Sequence, residues 1–240
     1  MTLSDDIPDA ELGARSSLSD RIYTELRVAL MSGYYEPGDR LNIRRISQLS
    51  QTSPTPVREA VMQLVREGAL ELKTGYQPRV PVLSPEAYMR ILEVRVPLER
   101  MATVLATMQV TTAMLEELRA LDRQFIAAER GNEWKAAMNH NRAFHFCNYR
   151  ASGNEVLVRT IENLWLLTGP LVGRQYVETI HRASDAALHG QIVEALERRA
   201  PHEASDLVVH DLRYGARIIL ERMRTAGGRR KPRAAEAAPD

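Results

Sequence analysis

At Ser84-Pro85 the sequence changes rhythm. Before it, short apolar runs at helical spacing alternate with turn residues and β-like pairs. After it, the helical period continues with no strand pattern. Such a chain is expected to be mostly α, with a compact first unit over residues 18–83 and a helical second unit over 84–226. Residues 1–17 and 227–240 lack periodicity and are expected to be disordered ends.

In the first unit, Ile22, Leu26, Ala29 and Leu30 share one helical face, with Ser19 as the expected N-cap and Gly33 as the stop. Tyr35-Glu36-Pro37-Gly38-Asp39 reads as a turn, and Ile43 to Leu49 as a short second helix. A third helix follows a Ser53 cap with Pro54 in its first position, carries Val57, Ala60, Val61, Leu64 and Val65 inward, and ends at Gly68. Leu70-Glu71-Leu72 and Val80-Pro81-Val82 flank Thr74-Gly75-Tyr76-Gln77-Pro78, the pattern of a two-stranded hairpin.

The second unit reads as helices over 86–108, 111–130, 132–151, 154–177, 180–199 and 202–225, an antiparallel bundle of six to seven helices. Pro97 is expected to kink the first of them. Trp134, Trp165 and Tyr176 are expected to pack the bundle interior.

Composition narrows the partners. Hydrophobic residues at 44% and charged residues at 26% exclude global disorder. No run of about 18 apolar residues occurs and the N-terminus lacks a signal-peptide pattern, so a cytoplasmic protein without a membrane partner is expected. Cys147 is the only cysteine, which excludes an intrachain disulfide and a cysteine-based zinc site. The net charge of +1 conceals nine Lys/Arg against six Asp/Glu over residues 21–83 and four cations in Arg229-Arg230-Lys231-Pro232-Arg233. Basic clusters of this kind attract phosphate.

Three short helices followed by a hairpin form a winged helix-turn-helix, which lays its third helix in the DNA major groove and a wing beside it. Ser53, Thr55, Arg58 and Gln63 would lie toward phosphates and base edges, with Arg44 one helix earlier. The strings Pro37-Gly38-Asp39-Arg40-Leu41, Ser53-Pro54-Thr55-Pro56-Val57-Arg58-Glu59-Ala60 and Leu64-Val65-Arg66-Glu67-Gly68 resemble the N-terminal domain of GntR-family regulators. The resemblance implies that Arg44, Ser53, Thr55, Arg58 and the wing residue Gly75 touch operator DNA. Pro54 departs from the family, which usually has an Arg there, so operator sequence or affinity is expected to differ.

In the second unit, Asn141 and His145 stand four apart on one helical face, where they can chelate one ion. His189 and His210 lie on two later helices beside apolar neighbours. Neutral imidazoles suit zinc or nickel, and open positions admit water or an effector carboxylate. Hydrogen-bonded core histidines are the competing reading. The segments Asn141-Arg142-Ala143-Phe144-His145, Ala151-Ser152-Gly153-Asn154 and His189-Gly190-Gln191-Ile192-Val193-Glu194-Ala195, with His210, resemble the FCD effector domain of the FadR-type subfamily. The resemblance implies a divalent metal at Asn141, His145, His189 and His210, with Asn141 standing where the family has Asp. Glu93-Val94-Arg95 followed by Leu98-Glu99 also resembles the subfamily, which implies that Arg95 faces the effector cavity. A buried Arg95 needs an anion, supplied by Glu93, Glu99 or a carboxylate ligand.

His140, His181 and His202 fall off this pattern and are expected in surface or capping roles. There is no His-Glu-x-x-His motif, nucleophile elbow or glycine-rich phosphate loop, so an enzyme is not expected. The expected function is a ligand-responsive repressor, dimeric on an inverted repeat, with a small organic acid as effector. Pure metal sensing is the nearer alternative, and a helical interaction module without a small ligand the third.

Overall fold

A computed structural model describes residues 17–179 and 186–229. The lead-in before Ser17, His181 and the basic run from Arg230 onward lie outside the described residues, as does the Tyr176 side chain. Among the described residues there are helices and turns but no strand.

The first unit holds α1 (Leu18–Met31), α2 (Ile43–Leu49) and α3 (Pro54–Arg66). Ser17, not Ser19, caps α1. The reason is reciprocity: the Asp20 N–H donates to Ser17 Oγ at 3.1 Å while the Ser17 N–H donates to Asp20 Oδ2 at 3.0 Å. The buried stripe Ile22, Leu26, Leu30 meets Val57, Ala60, Val61 and Leu64 of α3. Each Val, Leu or Ile side chain of this stripe contributes about 1.5–3 kcal/mol by leaving water.

The expected hairpin is reduced to two isolated bridges that share Arg79, one with Glu71 and one with Arg40. Glu71 and Arg79 exchange backbone bonds at 2.8 and 2.9 Å, and Leu41 donates to the Pro78 carbonyl at 2.8 Å. The run around Arg40, read from sequence only as the end of a turn, is therefore a third member. Pro78 and Pro81 have no N–H, which stops the ladder from lengthening on either side of the bridge.

The second unit holds α4 (Pro85–Met108), α5 (Thr112–Arg130), α6 (Trp134–Arg150), α7 (Glu155–Thr179), α8 (Ala186–Glu197) and α9 (Pro201–Arg229). Ser84 caps α4 through the Ala87 N–H, and the helix continues through Pro97. In the bundle α5 lies against α6 and α8, while α4 lies against α6, α7 and α9.

The two units share one contiguous apolar core. The α1 helix rests on α7, and polar contacts flank that seam. Arg27 donates to Asn163 Oδ1 at 3.0 Å and pairs with Glu67 at 3.1 Å, the Ser32 hydroxyl donates to Asn139 Oδ1 at 2.6 Å, and Lys135 Nζ stands 4.5 Å above the Tyr34 ring.

Candidate DNA-reading face and metal centre

The face of α3 opposite its buried stripe exposes Ser53, Thr55 and Arg58 at or near the helix start. Arg44 is exposed on α2 and Gly75 at the tip of the wing. Gly75 has φ +80°, and a Cβ there would meet nothing within 4 Å, so the left-handed backbone rather than crowding calls for glycine. Ser53 occupies the N-cap position, yet its side chain makes no capping bond. A cap accepts from the second or third helical N–H, and the third residue here is Pro56, which has none. The Ser53 hydroxyl is thus uncommitted to its own helix and suited to a phosphate oxygen. Arg40, Arg45, Arg66 and Lys73 are further exposed cations of this unit that sequence reading did not single out.

In the bundle, His145 of α6, His189 of α8 and Asp211 of α9 bring one potential ligand atom each to within 4.8 Å of one another. His145 Nε2 stands 3.1 Å from Asp211 Oδ2, and the two imidazoles lie edge to face at 5.4 Å. Phe144 stacks on His189 at 4.0 Å, and Phe125 lies tilted to the same ring at 4.9 Å. His189 Nδ1 is 3.3 Å from Asp122 Oδ1 in a geometry that falls short of a hydrogen bond, leaving both buried atoms without one. Burial pushes the Asp211 carboxyl up, but the His145 hydrogen bond and the charges of His145, His189 and His210 outweigh it and hold its pKa below the ordinary value.

A buried polar chain adjoins this cluster. Arg95 Nε donates to Glu99 Oε1 at 2.7 Å, and these side chains are 4% and 1% exposed. Trp165 Nε1 donates to the same oxygen at 3.0 Å, and the Tyr149 hydroxyl donates to Glu99 Oε2 at 2.6 Å. The anion that Arg95 requires is therefore Glu99, one turn along α4, with Trp165 beneath the guanidinium at 4.8 Å. Burial pulls the Arg95 pKa down, and Glu99, Tyr88 and Tyr149 more than reverse this, so its net shift is upward.

Comparison with known proteins decides the family. The model of the bacterial regulatory proteins of the gntR family matches residues 18–77, and the FCD domain model matches residues 90–214. The chain belongs to the gntR family, with an FCD domain. The HTH-type transcriptional regulator McbR of Escherichia coli is 32% identical over 154 residues, which span 64% of this chain and 70% of McbR. An uncharacterised HTH-type regulator of Bacillus subtilis, YdhC, is 26% identical over 84% of this chain and 92% of its own. The solved structure of E. coli McbR/YncC superposes with a TM-score of 0.80 at 26% identity, covering 86% of this chain and 98% of that one. A putative GntR regulator from Rhodococcus sp. RHA1 has the same fold, with a TM-score of 0.71 at 18% identity.

This gntR-family chain is a DNA-binding transcriptional regulator with an FCD ligand-binding domain, and not an enzyme. Among the described residues, no helix is long and apolar enough to cross a membrane. Within the FCD domain the structure places the expected ligand residues unequally. His145 and His189 converge, but His210 is exposed and its neighbour Asp211 takes the inward place. The phase of α9 accounts for this: Ala204, Val208, Ala216 and Ile219 form its buried stripe, which passes through 211–212 and not 210. Asn141 is half-buried on the same helix as His145, one turn before it. Asp122 was missed although it carries a signal, an acid between Leu118 and Phe125 on the buried stripe of α5.

Proposed function

We propose that this regulator is a repressor that binds an inverted repeat as a homodimer and releases it when a small organic acid binds beside a divalent metal ion in the FCD domain. The supporting observation is the convergence of His145, His189 and Asp211, from three helices, within 4.8 Å. Two neutral imidazoles and a carboxylate suit zinc or nickel, and the buried, unbonded Asp122 Oδ1 and His189 Nδ1 suit a second-sphere pairing that tightens when the ring is ligated. An ion held by one carboxylate keeps net positive charge, which favours an anionic oxygen at any open position. Asn141, one turn from His145, supplies a neutral amide oxygen to the same side.

The homodimer reading is supported by α4. Its apolar residues Ala87, Ile91, Val94, Leu98, Met101, Leu105 and Met108 alternate four and three apart, the spacing of a coiled-coil seam. Val94, Met101 and Met108, seven residues apart, remain 48%, 49% and 67% exposed, so these positions of the seam lie open in the single chain. Sedimentation equilibrium is expected to give twice the chain mass of 27.1 kDa, and a monomer would refute this part.

Arg58→Ala is expected to weaken operator binding by about 10- to 100-fold while leaving the far-ultraviolet helical spectrum intact. Titration of a duplex selected from random DNA measures this, and undiminished affinity would remove Arg58 from the reading face. His189→Ala is expected to strip the purified protein of its divalent metal, read by elemental analysis. Full occupancy in that variant would rule out the cluster as the site.

A further inference from the structure

Thr168 and Gly169 are adjacent on α7 and touch different units of the protein. Thr168 Oγ1, buried, accepts from Arg95 Nη1 at 3.0 Å. Gly169 abuts the end of α1: a Cβ there would fall 2.5 Å from Met31 Cα and 2.8 Å from the Met31 carbonyl oxygen, besides striking the Leu30 carbonyl. These neighbours are backbone atoms, so no side-chain rotation relieves the contact. A shift of α7 at this level must displace α1, and α1 is packed directly on the DNA-reading helix α3. Arg27 ties α1 to Asn163 and Glu162, about two turns earlier on α7.

In the other direction, Arg95 leads through bonded, buried groups to the metal-ligand cluster. Arg95 holds Glu99, Glu99 accepts from the Tyr149 hydroxyl, and the Tyr149 oxygen is 3.4 Å from His145 Nδ1. The single proton of Tyr149 is committed to Glu99, so toward His145 the phenol can only accept. With a metal ion on Nε2, the ring's remaining proton would sit on Nδ1, facing the Tyr149 oxygen that can accept it.

We infer that the chain His145–Tyr149–Glu99–Arg95–Thr168, ending at the Gly169 contact with α1, carries occupancy of the cluster to the DNA-reading unit. Tyr149 acts as a positioning residue for His145. The inference rests on the reading of His145, His189 and Asp211 as a metal site, and adds the route by which that site is felt. Both ends are packed elements rather than flexible loops, so a displacement at one has a defined effect at the other.

The test uses the full-length protein with cobalt(II) alone as the probe. Cobalt binding is followed by its visible absorption, and amide hydrogen exchange is read in a peptide spanning the end of α1. In the wild type, cobalt is expected to slow exchange there. Tyr149→Phe, which loses the hydroxyl but keeps the ring, is expected to raise the cobalt Kd about 10- to 100-fold. At saturating cobalt it should lose the slowing at α1. Thr168→Val, nearly isosteric and remote from the cluster, is expected to keep the cobalt Kd and also lose the slowing. Slowing retained in both variants overturns the route. Cobalt bound by the wild type without any change at α1 overturns the coupling but leaves the metal site standing, whereas absence of cobalt binding overturns both.

Discussion

Glu99→Ala is expected to destabilise the protein by about 3–5 kcal/mol, the cost of leaving a buried charge without its partner. Arg95 is almost fully buried, and its Nε donates to Glu99. Removal of the carboxylate also deprives Trp165 Nε1 and the Tyr149 hydroxyl of their acceptor. The Tyr149 pKa stands well above its ordinary value, through burial first and the Glu99 charge second, which favours the phenol as a proton donor to Glu99. Urea unfolding with an unchanged slope measures the loss. A drop below about 1 kcal/mol would mean that water reaches Arg95 and the network is not closed. The double change Arg95→Met with Glu99→Leu should recover only part of the stability, because it removes the unpaired charge but leaves Trp165 Nε1 and the Tyr149 hydroxyl without their acceptor.

Gly169→Ala is expected to lower stability by about 1–3 kcal/mol through overpacking, since the added methyl meets the α1 backbone rather than a movable side chain. Alanine otherwise favours a helix interior over glycine by about 1 kcal/mol. Gly215 of α9, where a Cβ meets nothing within 4 Å, provides the opposite expectation: Gly215→Ala should be neutral or stabilising. Thermal melts of the two variants side by side separate contact from propensity. If both are stabilised alike, α1 and α7 part without penalty and the units are not rigidly joined.

The exposed face of α3 was legible because its residues lie within a short stretch where spacing along one helix and one turn is the geometry. Thr55 and Arg58 are exposed by the same period that buries Val57, Ala60, Val61 and Leu64. The gap between a Ser53 cap position and an absent capping bond was equally open to reading, through Pro56 at the third helical position. The buried cluster of His145, His189 and Asp211 was only half legible. His145 and His189 stand out as imidazoles among apolar neighbours, but the choice between His210 and Asp211 turns on about 100° of helical phase. Flanking Val208 and Val209 suggested an inward His210, whereas the full stripe of α9 turns Asp211 inward.

Sequence alone determined the two-part plan, the family, the third helix with its exposed face and the helices that bear the two histidines, because each is set by spacing within one element or one motif. Tertiary structure decided matters that depend on how separate elements are rotated and juxtaposed. It chose Glu99 as the partner of Arg95, set Asp122 beside His189, and drew residues 39–41 into the wing. It also pressed Gly169 against α1. A helical period fixes which way a residue points on its own helix, but which residue it faces depends on packing among helices far apart in sequence.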